Sequence, residues 1–344
     1  MATTTYRAVM LTKKGGPEAL EVVELPVRDP GPGEARVRVI ACGVGATDII
    51  MRRGYYPFAP KIPFVQGYDP VGVVDAVGEG VTNVKPGDKV CALTVHGGEA
   101  ELLYRSADEL VHVPAGVEDA EVVALILNYA TAYQMIHRVA KQTAGQTALV
   151  TGANGGVGQA LLELLRIAGV TAYGAASKRS HEVVRALGGI PIEGREAPVD
   201  EGLRAVLPDG VDVSYDALGG KFVAQCARAT KKHGLVVSYG FSAATKANSV
   251  QPSNLAVARG YFDLLVRTRL VGRRPKFYGI TALYRKNKQP FLEDMPKLLE
   301  LLRTKQLHPR ISARFGLLEA RQANELQEKG GIDGKIVLLR ADPA

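Results

Sequence analysis

One stretch constrains this chain more than any other: Thr147-Ala148-Leu149-Val150-Thr151-Gly152-Ala153-Asn154-Gly155-Gly156-Val157-Gly158. Thr147 to Val150 is short, largely apolar and bounded by Gly145 and Gly152, which reads as a buried strand. Gln159 to Ala168 follows with a broad apolar helical face, and Gly169 fits the helix stop. The glycines therefore occupy a strand-to-helix turn, where backbone N–H groups and the positive end of the helix dipole converge. An anionic phosphate suits that point, and missing Cβ atoms let it come close. Taken alone, the same glycines are equally a tight turn that binds nothing. The flanks and the pattern downstream favour the phosphate.

From about Glu121 the period is helical, through Val122 to Ala140. Strands at 147–151, 171–176, near Ile190, 211–216 and 235–240 then alternate with helices at 159–168, 181–187, 200–207 and 221–230. That alternation implies an α/β fold: a doubly wound parallel sheet with helices on both faces, of the Rossmann type. Residues 242–276 interrupt it with a polar, then basic, segment; Phe277 to Tyr284 reads as an apolar edge strand and Pro290 to Arg303 as a helix. Residues 1 to about 120 differ. Short strand candidates (Tyr6–Leu11, Glu21–Leu25, Ala35–Ala41, Val71–Val77) separated by Gly/Pro turns suggest a small barrel-like β domain. The tail from His308 is β-rich again and is expected to fold back on that domain, giving 1–120 with 305–344 as one domain and 121–304 as the other.

A length of 344 residues agrees with two domains. No signal peptide and no run of membrane-spanning length is visible, and three dispersed cysteines suit a reducing compartment, so a cytoplasmic location is expected. The net charge of +8 suits either solubility or attraction to phosphorylated ligands. No nucleic-acid-binding motif accompanies it, so no nucleic-acid partner is expected.

Dinucleotide folds read the adenosine ribose at the end of the second strand, where an acid selects a free 2′-hydroxyl. Here that site reads Ala175-Ala176-Ser177-Lys178-Arg179, with no acid, a hydroxyl and two cations. A 2′-phosphate would find charge-assisted bonds from Lys178 and Arg179, which favours NADP(H) over NAD. The bland alternative is a solvated loop pair.

These residues, with Gly31-Pro32-Gly33-Glu34, Ala41-Cys42-Gly43-Val44, Arg53-Gly54-Tyr55-Tyr56-Pro57, Gly78-Glu79-Gly80-Val81, Pro86-Gly87-Asp88-Lys89-Val90 and Asp333-Gly334-Lys335-Ile336-Val337, resemble the medium-chain dehydrogenase/reductases in their zinc-independent quinone oxidoreductase branch. Asn128 to Tyr133 and the stretch from Phe291 to Val337 look nearest to vesicle-amine-transport-protein-like members. The resemblance implies a GroES-like first domain and a Rossmann NADP-binding second domain. Zinc alcohol dehydrogenases of this superfamily carry a cysteine where Gly45 stands, a His-Glu pair where Tyr68-Asp69 stands, and a cysteine near Asn128. No metal is therefore expected. Quinone oxidoreductases usually carry asparagine at Gly45, so that polar contact is missing.

The implied reaction is hydride delivery from NADPH to a C=C conjugated with a carbonyl: a quinone, an enone or an enoyl-CoA thioester. Tyr56 matches a tyrosine that related enoyl reductases use, either donating to the enolate or packing as an aromatic wall. The family match also places Asn154, Gly155, Gly156 and Val157 on the pyrophosphate, Thr131 near the nicotinamide ribose, Leu218 against the nucleotide, and Tyr239-Gly240-Phe241 toward the nicotinamide. Asp48 reads as a helix N-cap and Asp69 as structural.

Thr151-Gly152-x-x-x-Gly156-x-Gly158 also satisfies the short-chain dehydrogenase pattern, and Tyr284-x-x-x-Lys288 mimics its catalytic pair. A glycine turn this far into the chain, and Pro290 so soon after the pair, argue against that reading. A non-catalytic NADPH-binding scaffold is the alternative from another class. The basic run Arg267, Arg269, Arg273, Arg274, Lys276, Arg285, Lys286 and Lys288 reads as a solvated face, a dock for a CoA- or carrier-linked substrate, or a membrane-facing patch. The Phe277–Tyr284 edge implies a homodimer through strand pairing.

Overall fold

The computed structural model describes residues 4–194, 196–240, 262, 264–266 and 268–341. The chain divides into two compact units, Met1–Ala130 with Thr281–Ala344, and Thr131–Ile280. Sequence patterning set the divisions near 120 and 304 instead. The difference lies in helical stretches whose apolar faces pack on the first unit, which period alone does not disclose.

Strands and helices are numbered in chain order. In the first unit β1 (Thr5–Leu11) pairs antiparallel with β2 (Leu20–Pro26) and with the short β4 (Phe64–Val65). A second sheet runs β15 (Ile311–Gly316), β16 (Lys335–Leu339), β3 (Glu34–Val44), β5 (Val71–Val77), β6 (Lys89–Cys91) and β8 (Val111–His112), with β7 (Leu102–Ser106) also on β3. Along β3 the side chains alternate: Ala35, Val37, Val39 and Ala41 are buried, and the residues between them are less so. That is the period of a sheet with one face on a core. The tail does fold back: β16 sits inside the sheet, antiparallel to β3 with Ile336 opposite Val44, and parallel to β15.

Helix α1 (Ala46–Arg52) follows β3. Its N-cap is Gly45, whose N–H donates to the Asp48 carboxylate at 2.8 Å. Asp48 thus caps from the third helical position rather than from the N-cap itself. The helix α2 (Asp119–Ala124) widens into a π-helical turn over Leu125–Tyr129, continues as α3 (Ala130–Gln134) and widens again over Met135–Ala140.

In the second unit β9 (Thr147–Thr151), β10 (Thr171–Ala176), β11 (Ile190–Glu193), β12 (Val211–Asp216), β13 (Thr230–Ser238) and β14 (Arg274–Phe277) form one parallel sheet. The order is β11-β10-β9-β12-β13-β14, so the winding direction reverses at β9. In a doubly wound sheet the crevice outside that reversal takes the ligand. Helices α4 (Gly156–Ile167), α5 (His181–Ala186), α6 (Val199–Val206) and α7 (Lys221–Ala229) connect the strands. Leu149, Tyr173, Val211, Cys226 and Val236 lie in one buried cluster.

The expected strand over 277–284 is not one. Only Phe277 belongs to β14, and α8 (Ile280–Lys286) begins directly after Gly279. Ile280, Leu283 and Tyr284 have helical spacing, and a short apolar run does not distinguish the two periods. Helix α9 (Gln289–Arg303) and α10 (Ala320–Lys329) complete the first unit. Tyr284 and Lys288 do not share a helical turn, because α8 ends at Lys286 and Lys288 caps α9, its ammonium 2.5 Å from Asp108.

Candidate active site

In the second unit the expected nucleotide residues come from four adjacent strands. Ser177-Lys178-Arg179 follow β10, Asn154 to Val157 follow β9, Leu218 follows β12, and Tyr239-Gly240 follow β13. Because the strands are parallel, all of these lie at the same carboxyl edge of the sheet. Phe241 lies outside the described residues.

The turn after β9 is built for backbone approach. Gly152 holds φ +61°, in the left-handed region that glycine favours. A Cβ on Gly158 would lie 2.3 Å from the Gly152 carbonyl oxygen and 2.8 Å from Ala153 Cα, so no larger residue fits. Gly155 caps α4, and the first intrahelical bond is donated by Gln159 to Gly155 O at 2.9 Å. The amides of Gly156, Val157 and Gly158 precede that bond, at the helix start, where N–H groups have no carbonyl partner within the helix. The Gln159 side chain donates to Asn154 O at 2.7 Å and fixes the loop.

Asp216, which sequence reasoning passed over, ties these loops together. At the end of β12 and fully buried, it accepts from Thr151 Oγ1 (3.0 Å), Leu218 N (3.1 Å), Gly219 N (3.0 Å) and Ser238 Oγ (3.3 Å). Burial pushes its carboxyl above the usual range, against the pull of these donors. The signal was present: an acid closing a buried strand just before Gly219-Gly220. Gly240 is constrained by the same loop, since a Cβ there would lie 2.5 Å from Ala217 O. Thr131 is buried, 6% exposed, at the start of the second unit.

Ser177 caps the short helical turn Lys178–Ser180. Lys178 Nζ lies 2.9 Å from Glu196, with both side chains more than two-thirds exposed. So an acid does stand beside Lys178, but it comes from the loop after β11, where no motif marks it. An exposed pair of this kind contributes under about 1 kcal/mol and yields readily to a phosphate.

In the first unit Tyr56 is half-buried, and its hydroxyl lies 2.5 Å from Thr281 Oγ1 and 3.1 Å from the Tyr68 hydroxyl. Tyr68 and Thr281, each 1% exposed, also contact each other through their hydroxyls. Burial raises both phenols, Tyr68 well above its ordinary value, so both carry their protons at neutral pH. Phe58 packs edge-on against Tyr56, with centroids 5.7 Å apart, and Arg285 lies 5.3 Å from the Phe58 ring.

Behind β3 a charged cluster is buried. Asp69 accepts from Lys335 Nζ at 2.5 Å and from Gly43 N at 2.9 Å, a structural role as expected. Asp48 is pushed up to about 7 by burial, with Lys335 opposing and Asp69 adding to the rise. Glu99 is fully buried, and among the described residues neither of its carboxyl oxygens has a hydrogen-bond partner. Burial first, then Asp48 and Asp69, raise its carboxyl well above the usual range.

The basic run divides between the two units. Arg269, Arg273, Arg274 and Lys276 belong to the second unit, Arg285, Lys286 and Lys288 to the first, and Arg267 lies outside the described residues. Several of these cations are engaged: Arg273 Nε donates to Thr230 O at 2.9 Å, Arg274 Nε to His233 O at 3.0 Å, and Arg285 Nη2 to Phe58 O at 2.7 Å. Among the described residues no helix is long and apolar enough to cross a membrane.

Comparison with known proteins adds to this geometry. Residues 31–124 match the family model for the alcohol dehydrogenase GroES-like domain, and residues 190–338 that for zinc-binding dehydrogenases. The synaptic vesicle membrane protein VAT-1 homolog of Danio rerio is 34% identical over 349 residues, covering 98% of this chain and 70% of that protein. The quinone oxidoreductase of Rattus norvegicus is 28% identical over 97% of both chains. Among solved structures, the human VAT-1 homolog-like protein superposes with a TM-score of 0.82 at 25% identity over the whole of both chains. The Escherichia coli quinone oxidoreductase complexed with NADPH superposes with a TM-score of 0.85 at 24% identity, over 97% of this chain and 99% of that one.

Proposed function

Because the chain belongs to the medium-chain dehydrogenase/reductase family, on the branch shared by the quinone oxidoreductases and the VAT-1 homologues, we propose that it is an NADPH-dependent oxidoreductase that reduces the activated C=C of an α,β-unsaturated carbonyl. The substrate is a quinone, an enone or an enoyl-CoA thioester. The observation that carries the reading is the glycine cradle after β9, at the reversal of a doubly wound sheet, where any Cβ at Gly158 would strike backbone.

NADPH fits that cradle, and when bound it supplies the hydride. The amides of Gly156 and Val157 and the Asn154 loop would hold its pyrophosphate, Leu218 and Tyr239-Gly240 would line its path, and Ser177, Lys178 and Arg179 would take the 2′-phosphate. Thr131 is assigned to the nicotinamide ribose by family match. Tyr56 donates a hydrogen bond, then a proton, to the enolate that forms when the β-carbon accepts hydride. Its raised pKa keeps that proton in place near neutral pH.

Zinc does not fit this donor set. Gly45 offers no side chain, the Tyr68 hydroxyl is engaged with Tyr56 and Thr281, and Asn128 is an amide, whereas zinc takes thiolate and imidazole. Without such a Lewis acid an alcohol is a poor substrate, and the hydride acceptor must already be electrophilic.

We also propose a homodimer through β14, moved from the stretch first expected. It is the outermost strand of its sheet, and Leu270 and Val271 before it are 80% and 40% exposed.

The experiment is a screen of NADPH oxidation against quinones, short enones and enoyl-CoAs, with identification of the reduced product. Turnover with at least one class, and calorimetric preference for NADPH over NADH, are expected. Tight NADPH binding without turnover on any of them would establish the scaffold alternative.

A further inference from the structure

Tyr56, Tyr68 and Thr281 bring three hydroxyls into mutual contact from sequence positions up to 225 residues apart. Among the described residues none of the three hydroxyls has another hydrogen-bond partner. Each hydroxyl carries one proton and can donate once. Closed on itself, a ring of three hydroxyls spends every proton internally and presents none outward. A carbonyl or enolate oxygen only accepts. When one arrives, the ring must open at a single member, and only Tyr56 reaches solvent, since Tyr68 and Thr281 are each 1% exposed.

We propose that Tyr68 and Thr281 are positioning residues for Tyr56, forming a directed chain in which Tyr68 donates to Thr281, Thr281 donates to Tyr56, and Tyr56 is left to donate to the substrate oxygen. The proposal rests on the reading of Tyr56 as the proton donor. Thr281 takes the middle of the chain because its hydroxyl contacts both phenols and lies closer to Tyr56 (2.5 Å) than the Tyr68 hydroxyl does (3.1 Å). Every link polarises the next, so Tyr56 becomes a better donor than an isolated phenol.

The proton inventory closes without moving charge into the interior. The Tyr56 O–H bond breaks as a C–H bond forms at the α-carbon, and the resulting phenolate keeps a charge-assisted bond from Thr281. Thr281 and Tyr68 hold their own protons throughout. Water restores the proton to half-exposed Tyr56 after product leaves.

The test compares Thr281→Val, Thr281→Ser and Tyr68→Phe with Tyr56→Phe in the full chain, using whichever substrate class supports turnover. A hydrogen bond to a charged group corresponds to about 10- to 100-fold in rate. Thr281→Val should lower kcat by about that factor while leaving the KM for NADPH within about twofold. Tyr68→Phe should lower kcat less, and Thr281→Ser should restore it. Thr281→Val in a Tyr56→Phe background should cost nothing further. A second readout needs no turnover: with ring-labelled tyrosine, the Tyr56 NMR signal should titrate at higher pH in Thr281→Val, because the phenolate has lost a donor.

An unchanged Tyr56 titration, or additive losses in the double variant, would overturn the directed chain while leaving the proposed function standing. Full activity in Tyr56→Phe would instead remove the donor reading, and this inference with it. Failure of the whole substrate panel would sink the proposed reaction itself, whatever the titration showed.

Discussion

At the scale of single residues, Asp48 shows how much a buried carboxyl can hide from a sequence. In the sequence it reads as a helix cap, and it does hold the Gly45 amide. What the sequence does not disclose is that it lies 1% exposed beside Asp69, Lys335 and Glu99, contributed by segments far apart in the chain. Its carboxyl rises from 3.8 to about 7. A group whose folded pKa is raised binds its proton more tightly in the native state. The stability it contributes is therefore complete below its ordinary value near 4 and is lost as pH climbs through 7, by roughly 4 kcal/mol at most. Asp48→Asn keeps an acceptor for Gly45 and removes the charge. Its melting temperature should fall less between pH 5 and pH 7.5 than that of the parent; an equal fall in both would show that Asp48 does not titrate in this window. Tyr56 stands out in the sequence through its local motif. Its partners Tyr68 and Thr281 do not, because no periodicity links residues 213 positions apart.

At the scale of elements, legibility followed the strength of the pattern. The strand, glycine turn and helix from Thr147 to Ile167 were readable because a buried β-branched run, a cluster of glycines and a helical stripe agree with one another. Gly158 now has a steric reason. Gly158→Ala would press a methyl against the Gly152 carbonyl and Ala153, both backbone and unable to yield. It should cost about 1–3 kcal/mol of stability and weaken NADPH binding more than tenfold. Calorimetric titration together with thermal melting checks both; an alanine variant that binds NADPH like its parent would mean the turn is not the phosphate site. The stretch from Phe277 to Tyr284 failed for the opposite reason: a short, mostly apolar run suits either period, and here most of it belongs to a helix. Asp216 sits between these cases, since its place before a double glycine was visible while its four donors, spread over three strand ends, were not.

At the scale of the whole molecule, two domains were foreseeable from length and from the change of period, but not where one yields to the other. The helix running from Asp119 to Ala140 passes through the division without a break, so no turn chemistry marks it. The proposed dimer belongs to this scale too. Wild-type chain should sediment as a dimer at micromolar concentration. Leu270→Asp, which places a charge on a side chain 80% exposed, should shift it to monomer with little change in melting temperature measured on the monomer. A wild-type monomer at those concentrations would dismiss the interface.

The inward seat of β16 has a consequence for how the protein is made. The register that β3 needs is supplied by residues 335–339, which leave the ribosome only after the entire nucleotide-binding unit. At roughly 5–20 residues per second, the opening third of the polypeptide waits about ten seconds or more for its missing neighbour. During that interval the later-made segment is free to fold, while the earlier-made one stands open along one side and exposed to chaperones.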